Sequence, residues 1–565
     1  MKYAIMLPVV RAVGACWLAI VVAGCSRSAA GELRFANEPP VWQVNDRKQL
    51  PEIPKERLYW RTLYHVDGFF VRRMTRAMDV KDPVRARDVN ALDEVPDSTW
   101  FVNRIGVRDM SIEEIKRGAN LAPNPFDHRP WQITGGKTGG LSIGFTFKDA
   151  RGDKYILKFD TPDRPEMETA AHALGHRIIW ACGYHVPEDY IGYIRREDLV
   201  IKPGTVHKVP GGGEHAMTVE VVDRALAKIH QEPDGRIRVL ASRYLPGKPI
   251  GPYAREGTRD DDPNDLIAHE HRRTLRGQFP IFSWLNHTDM QEDNTLDAFI
   301  ADKTDKKRGH VMHYLIDFGK AFGVMGWGIG WKTVGYTYRM DVNYALRSLL
   351  TFGLWERPYD DIESPPLRGV GLWEADHYDP GEWRPNSLYW PYEEKDRFDA
   401  FWGAKILIRF TREQLAAIVD EAQYSDPRSA QYMLEVLIQR QRKTARYWFD
   451  QVAPLDRFAV EAAPDGSARV CFTDLTLHYN LRTVTTRYTG EAFDHTGKAL
   501  GWTREAQPGP EGRTCVDGLQ PPTANDGYTI VKLEVRRNAQ VMPPVRVHLA
   551  RDAKGQLAVI GLRRY

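Results

Sequence analysis

The chain has 565 residues, of which 42% are hydrophobic and 27% charged. This length predicts two or more domains, and the composition is that of a globular protein rather than a fibrous or disordered one. Because 78 basic residues nearly balance 75 acidic ones, the chain has no large basic surplus, and we expect no nucleic acid partner.

The first 24 residues have the features of an export signal. A basic start precedes an apolar run, residues 12–23, which is shorter than the about 20 residues that span a bilayer. The run ends in V-A-G-C at Cys25. This ending resembles the lipobox of bacterial lipoproteins, whose signal peptide would here be residues 1–24. An ordinary signal peptide with an incidental cysteine is the alternative.

The lipobox resemblance implies that Cys25 becomes the lipidated first residue of the mature chain. With Ser26 after the cysteine, it further implies anchoring in the cell envelope, at the outer membrane facing the periplasm or the cell surface. The membrane is then a partner through the lipid.

Residues 25–125 are predicted to be a tether and an N-terminal extension packed on the main domain, with no chemistry of their own. A polar, proline-punctuated stretch, 31–54, suits the tether. Apolar side chains then recur at helix-like intervals, at Leu63, Val66, Phe70 and Met74. Ser111 followed by Glu114 is a capping-box signal for a short helix.

A glycine-rich loop opens the main domain, which we place at residues 126–457. It precedes two alternating strands, 141–147 and 154–159. Its glycines are Gly135, Gly136, Gly139 and Gly140. Glycines let backbone amides approach phosphates closely, although a flexible surface turn has the same composition. Lys158 lies in the second, apolar strand, where a lysine is rarely present for packing.

The helix expected at 165–182 supplies a candidate partner for Lys158. Its apolar positions follow i, i+3, i+4 spacing, and Glu168 falls on the same buried face. An acidic residue in a first turn is also common because it suits the helix dipole, so the pairing of Lys158 with Glu168 has an alternative.

Two ordered segments between 284 and 319 contain the side chains that phosphoryl transfer requires. The first has the spacing H-x-D-x-x-x-x-N, with His287, Asp289 and Asn294. The second is Asp317-Phe318-Gly319, at the end of an apolar run. Such chemistry uses one carboxylate to accept a hydroxyl proton, and an amide and a second carboxylate to hold metal ions.

These segments resemble the catalytic loop and metal-binding segment of the protein kinase-like superfamily, including HipA-type and CotH-type bacterial enzymes. The resemblance implies an α+β, two-lobed kinase-like fold, with an N-lobe at about 126–246 and a C-lobe at about 247–457. It departs from protein kinases in a longer Asn294–Asp317 interval, in Thr288 where they have arginine, and in lacking a recognisable A-P-E.

The same resemblance implies a role for each matching residue. Asp289 would be the catalytic base, and Asn294 and Asp317 would bind Mg²⁺ or Mn²⁺ with ATP. The nucleotide-binding residues would be Gly135, Gly136, Gly139, Gly140, Lys158 and Glu168.

Beyond the kinase-like region the apolar period changes to two. Alternating residues between turn signals, such as Val470 with Phe472 and the run 475–481, predict an antiparallel β-sandwich-like accessory domain at 458–565. Cys471 and Cys515 both lie there, and a disulfide between them would suit an oxidising compartment. The aromatic-rich stretch 355–402 fits a substrate lid, an aromatic platform or plain packing.

Two functions from different classes fit these patterns. The first is a metal- and nucleotide-dependent phosphotransferase, an atypical kinase acting on an acceptor that the sequence does not identify. The second is a catalytically inactive kinase-like binding or scaffold lipoprotein of the cell envelope. The combination of Asp289, Asn294 and Asp317 favours the first, whereas a compartment without an evident ATP supply favours the second.

The anchor is testable by changing its cysteine. In a Gram-negative host, Cys25→Ser should move the protein from membranes into the soluble fraction after a carbonate wash, which strips peripherally bound protein, because the acyl chains are lost. Cys16→Ser, inside the apolar run, should leave the protein in the pellet. Unchanged pelleting of Cys25→Ser, with no acyl mass on the wild-type N-terminus, would contradict the prediction.

Overall fold

The computed structural model describes residues 35, 39–78, 84–136, 143–208, 213–324, 334–356, 359 and 362–565. The chain divides into two compact units. The larger contains residues 41–454 and 474–484, and the smaller contains 455–473, 485–565 and the described residues before 41. Cys25, Gly139 and Gly140 lie outside the described residues.

The larger unit begins with helices from the predicted N-terminal extension. These are α1 (Arg61–Val66), a π-helical segment (Asp67–Val71), α2 (Arg72–Ala77) and α3 (Ile112–Arg117). The Ser111 hydroxyl caps α3 by accepting a hydrogen bond from the Glu114 amide at 3.1 Å. In α1 and the π-helical segment, Tyr64 and Phe69 face the interior. The apolar series at helix-like intervals therefore faces outward, although a series of this kind usually marks a buried face.

A six-stranded sheet follows, with the strand order β4-β8-β3-β2-β1-β5. Neighbouring strands are antiparallel except β1 and β5, which are parallel. A two-stranded hairpin, β6–β7, accompanies it. The eight strands are β1 (Trp131–Gly136), β2 (Gly144–Lys148), β3 (Lys154–Phe159), β4 (Asp189–Ile194), β5 (Leu199–Ile201), β6 (Val206–Lys208), β7 (Glu214–Ala216) and β8 (Ile237–Arg243).

Alternation along β3 directs its side chains to two different helices. Leu157 and Phe159 pack in one apolar core with Val222 of helix α5 (Val219–Leu226). The intervening Lys158 points to the other face, where helix α4 (Met167–Cys182) lies. The sheet thus presents one lysine to α4 while burying its apolar neighbours on the opposite side.

A small three-stranded sheet and two short helices come next. The sheet contains β9 (Lys248–Pro249), β10 (Thr295–Ala301) and β11 (Gly309–Leu315), and the helices are α6 (Arg273–Arg276) and α7 (Gln278–Trp284). The β10–β11 hairpin fills the interval between Asn294 and Asp317, which explains why this interval is longer than in protein kinases.

The remainder of the larger unit is mainly helical. Its helices are α8 (Val342–Leu350), α9 (Trp390–Glu393), α10 (Arg397–Leu407), α11 (Arg412–Glu421) and α12 (Pro427–Phe449). Thr411 and Gln414 form the capping box of α11, and Asp426 caps α12. Within the aromatic-rich stretch, Trp373, Trp383, Tyr389 and Tyr392 are buried in the helical core. These four rings therefore have the packing role that was one of the three possibilities.

The smaller unit consists of two antiparallel sheets. One has the order β12-β13-β16 and the other β15-β14-β17-β19-β20, with β18 beside β17. Phe472 of the first sheet contacts Tyr488 of the second, with ring centroids 5.0 Å apart. The strands are β12 (Leu455–Ala462), β13 (Ala468–Asp474), β14 (Thr486–Asp494), β15 (Ala499–Ala506), β16 (Arg513–Leu519), β17 (Thr529–Arg537), β18 (Gln540–Val541), β19 (Val545–Arg551) and β20 (Leu557–Arg564).

The strand interpretation of the run 475–481 is wrong. This run begins with a short helix, α13 (Leu475–His478), and belongs to the larger unit. The Asp474 carboxylate caps the helix by accepting a hydrogen bond from the Thr476 amide at 3.0 Å. Leu475 and Leu481 are buried in the helical core of the larger unit. This burial favours a helical turn over a strand at this position.

Among the described residues, no helix is both long enough and apolar enough to cross a membrane.

Cys471 and Cys515 are joined by a disulfide between β13 and β16, where they are directly opposed, whereas Cys182 is a buried free thiol. The bridge closes a loop with a sequence separation of 44 residues. Changing both cysteines to alanine should reduce the free energy of unfolding of the smaller unit by roughly 2–4 kcal/mol, because the unfolded chain gains freedom.

Urea unfolding of the full chain, followed by a probe in the smaller unit, measures this loss. The control is reductant, which should destabilise the wild type but leave the double alanine variant unchanged. Equal sensitivity of both proteins to reductant would contradict the assignment.

Candidate functional site

Two of the expected site residues are brought together by the β10–β11 hairpin. Asn294 immediately precedes β10, and Asp317 follows β11 by two residues. Thr295 opposes Leu315 in the register, and the Ile316 amide donates to the Asn294 carbonyl at 3.0 Å. The hairpin therefore holds the two backbone segments side by side at its open end.

Asp289 is bound to the same end by the Asn294 side chain. Asn294 Nδ2 donates to the Asp289 carbonyl at 2.5 Å and to its carboxylate Oδ2 at 3.2 Å. Since the amide nitrogen is used in this way, the amide oxygen of Asn294 is the atom left for a ligand. Burial and the charge of Asp317 raise the pKa of Asp289, against the opposing effect of the Asn294 hydrogen bond.

Lys158 reaches this site from the six-stranded sheet. Its Nζ lies 2.9 Å from Asp317 Oδ1 and 3.0 Å from His172 Nε2, and the side chain is buried. Burial lowers the pKa of this amine, but the carboxylates of Asp317, Glu168 and Asp189 together outweigh burial, so the pKa of Lys158 is raised. The lysine is therefore a cation held directly beside the Asp317 carboxylate.

The expected pairing of Lys158 with Glu168 is replaced by two crossed ion pairs. Glu168 lies in the first turn of α4 and accepts from Lys320 Nζ at 3.0 Å. Burial raises the pKa of Glu168. Lys320 and the other positive groups nearby together outweigh burial, so the pKa of Glu168 is lowered overall. His172, one turn later on the same face of α4, contacts Lys158 instead, and Lys158 pairs with Asp317, for which the sequence suggested no partner.

His172 is a site residue that the sequence analysis missed. Its Nε2 lies 3.3 Å from Asp317 Oδ1, and its Nδ1 lies 3.3 Å from Asp189 Oδ2 on β4. The signal was present, because His172 follows Glu168 by four residues on the face of α4 already chosen as buried. The imidazole links a buried carboxylate of the sheet to the Lys158–Asp317 pair.

Two glycines allow the 317–319 segment to approach α4 closely. A Cβ on Gly175 would lie 2.8 Å from the Phe318 Cβ, and one on Gly319 would lie 2.8 Å from the Glu168 Cγ. Phe318 is fully buried between α4 and the segment that contains His287, with its ring 5.9 Å from that of His287. The close packing fixes Asp317 in position against Lys158.

His287 has a packing role. Its ring lies 4.8 Å from that of Phe282, and burial lowers its pKa to about 4. A neutral imidazole is therefore present at ordinary pH, in contact with the Phe318 ring that supports Asp317.

The N-terminal extension contacts the loop between Asp289 and Asn294, which was not foreseen. Arg57 is 2.7 Å from Glu292, and Arg61 at the start of α1 is 2.5 Å from Asp293. These two ion pairs attach the extension to the candidate catalytic loop.

The glycine-rich loop is described only in part. Gly135 and Gly136 are the last residues of β1, next to β2 across the hairpin, whereas Gly139 and Gly140 fall in the part of the chain that is not described.

The revised pairing is testable by double-mutant cycles on unfolding. Lys158→Met combined with Asp317→Asn should give a coupling energy of roughly 1–3 kcal/mol, because the two groups are in direct contact. The cycle of Lys158→Met with Glu168→Gln is the matched control and should give a smaller coupling, since Glu168 is held by Lys320. Equal couplings in the two cycles would contradict the revised assignment.

No protein-family model matches this chain, and no curated protein matches it. Among solved structures, two crystal structures of the Golgi casein kinase are similar to it, one of them with Mn and ADP bound. The identity is 10% in both cases, with TM-scores of 0.28 and 0.26. The alignments cover 60% of this chain, and 77% and 74% of those chains. A likeness this remote does not assign a function, so any assignment depends on the site itself.

Proposed function

We propose that the protein is a metal- and nucleotide-dependent phosphotransferase built on a two-lobed kinase-like fold. One observation carries the proposal: Lys158, Asp289, Asn294 and Asp317 come from three separate segments and meet at one end of the β10–β11 hairpin. A packing role does not require two carboxylates, an amide and a buried lysine to share so small a region, whereas phosphoryl transfer uses this set.

The donor atoms fit a hard divalent cation such as Mg²⁺ or Mn²⁺. Asp317 offers a carboxylate whose side chain is 37% exposed, and Asn294 offers its amide oxygen. Oxygen donors of this kind are those that Mg²⁺ and Mn²⁺ prefer. Asn294 and Asp317 would hold the ion, which would neutralise the phosphate oxygens of the bound nucleotide.

The remaining residues have roles in binding and in proton transfer. Lys158 would bind a phosphate oxygen of ATP, next to Asp317 and braced by His172. Asp289 would accept the proton of an acceptor hydroxyl as the new oxygen–phosphorus bond forms and the bond to the leaving ADP breaks. Glu168 would act by holding Lys320, which lies three residues after Asp317.

The proposed cellular setting is the envelope, with the chain attached through lipid on Cys25. The acceptor would then be a hydroxyl-bearing molecule that reaches the outer-membrane face or the periplasm. An inactive kinase-like binding protein would share the fold but would not need Asp289 as a base, and this difference separates the two functions.

Nucleotide binding is tested by thermal shift of the full chain. Mg²⁺ or Mn²⁺ with ATP should stabilise the wild type by roughly 2.7 kcal/mol at a hundred times the dissociation constant. Asp317→Asn should abolish the shift because a metal ligand is lost, and Lys158→Ala should reduce it. Asp163→Asn, at an exposed aspartate outside the site, is the matched control and should behave as the wild type.

Turnover is tested separately with Asp289→Asn. This variant should keep the thermal shift but lose phosphate transfer, measured as autophosphorylation or nucleotide hydrolysis, because a base is needed for the reaction and not for binding. A wild type that shows no metal-dependent shift with any common nucleotide would contradict the proposal. A shift without transfer in the wild type would support the inactive binding protein instead.

A further inference from the structure

The helical segment α1–α2, including the π-helical turn, exposes its apolar side. Leu63, Val66, Phe70 and Met74 lie at spacings of three or four residues, so they share one side of the helix. Between 46% and 67% of each of these residues is exposed. Leu58 and Trp60, just before α1, are 69% and 66% exposed. A regular apolar series that faces solvent is the pattern of a docking surface rather than of a core helix.

Helix α8 repeats the arrangement. None of its residues is buried, and its apolar side chains Val342, Leu346, Leu349 and Leu350 are 47% to 76% exposed. Their spacings of four, three and one again place them on one side of the helix. Phe352 and Leu354, directly after α8, extend the exposed apolar surface.

The two helical segments are neighbours in the larger unit. The guanidinium of Arg73 on α2 lies 5.2 Å above the Tyr338 ring, four residues before α8. Tyr338 in turn donates to Glu393 of helix α9 at 2.9 Å, so this contact point is attached to the helical part of the larger unit. The two segments that carry the exposed apolar series therefore meet at the Arg73–Tyr338 contact, and we call residues 58–78 and 338–355 the apolar surface.

The apolar surface is also positively charged. Residues 58–78 and 338–355 contain six arginines and two aspartates. Arg61 and Arg72 pair with Asp293 and Glu256 outside these ranges, and with those two acids counted the arginines still exceed the acids by six to four. Arg347 lies 5.5 Å from the Trp355 ring and Arg73 over Tyr338, so cations accompany the aromatic and apolar side chains. Charge complementarity favours an anionic partner, and the exposed leucines, phenylalanines and tryptophan favour an apolar one.

We propose that the apolar surface docks on a lipid bilayer that contains anionic headgroups. A bilayer satisfies both requirements at once, because its headgroups attract arginine while its acyl boundary takes up leucine, phenylalanine and tryptophan. The inference depends on the exposed helices and not on the phosphotransferase assignment.

The predicted tether supports this occupant over a protein partner. Residues 25–57 connect the expected anchor to the apolar surface, and the chain enters α1 directly from the tether. The described residues of this stretch are packed rather than extended: Phe35 lies against His548, and Leu50 pairs with Gly309. The chain between Cys25 and Phe35 could span at most roughly 35 Å, so lipid on Cys25 alone would still let the folded chain move relative to the membrane. The apolar surface is the second attachment that would hold the unit against the bilayer.

Vesicle binding of full-length Cys25→Ser protein, which carries no acyl group, tests the proposal. The probe is vesicles of phosphatidylcholine with or without phosphatidylglycerol, and the readout is co-sedimentation. Binding should require phosphatidylglycerol and weaken with salt. Leu63→Glu with Phe70→Glu, and separately Leu346→Glu with Leu349→Glu, should each raise the apparent dissociation constant by about tenfold or more.

The matched control is Leu121→Glu with Leu266→Glu. Both leucines are 78% exposed and lie outside the apolar surface, so the pair makes the same chemical change. This control pair should bind vesicles as strongly as the Cys25→Ser protein without further changes. Any vesicle binding by residues 1–24 is the same in every variant. Circular dichroism should show the same melting temperature throughout, since the changed side chains are exposed.

Three outcomes would overturn the proposal. The first is equal vesicle binding by the surface variants and the control pair. The second is no vesicle binding at all. The third is concentration-dependent self-association in the ultracentrifuge that the surface variants abolish, which would identify a second copy of the chain as the occupant.

Discussion

The ion pair between Lys158 and Asp317 is the contact on which the candidate site depends. It joins β3 of the six-stranded sheet to the segment that follows β11. Lys158 Nζ and Asp317 Oδ1 are 2.9 Å apart, which is direct contact. A buried lysine charge without a carboxylate partner would strongly destabilise the folded protein. The ion pair therefore holds β3 and the segment after β11 in position against each other. His172 and Asp189 extend the pair into the sheet, which gives the buried charges further polar partners.

The residues of the site could be predicted from the sequence because each belongs to a short local pattern. The alternation of β3 isolates Lys158 from its apolar neighbours, and fixed spacings connect Asp289 with Asn294. The sequence could not predict which residue of α4 would contact Lys158. Glu168 and His172 share one face and differ by a single turn, about 5.4 Å along the axis, so the choice depends on how far the helix is shifted against the sheet. That shift is set by tertiary packing, here by the close approach of Phe318 to Gly175.

Periodicity in sequence identifies a face of an element but not what the face meets. The apolar series from Leu63 to Met74 has the spacing of a buried helix face. In the structure Tyr64 and Phe69 are buried instead, and the series is exposed to solvent. The run 475–481 shows the related ambiguity between periods. Its alternating leucines suit a strand, but the Asp474 cap and burial of Leu475 in the helical core favour a turn of helix. In both places a neighbouring residue, not the pattern, decides the outcome.

The proposed docking surface and the proposed catalytic loop are physically connected. Arg61 begins α1 and is ion-paired with Asp293, while Arg57, shortly before α1, is ion-paired with Glu292. Both acidic residues lie between Asp289 and Asn294, within the loop that would supply the base and a metal ligand. If the apolar side of α1 rests on a bilayer, these ion pairs hold the loop from Asp289 to Asn294 next to the docking helix. The two proposals are therefore compatible, because these contacts join the docking helix to the loop that contains Asp289.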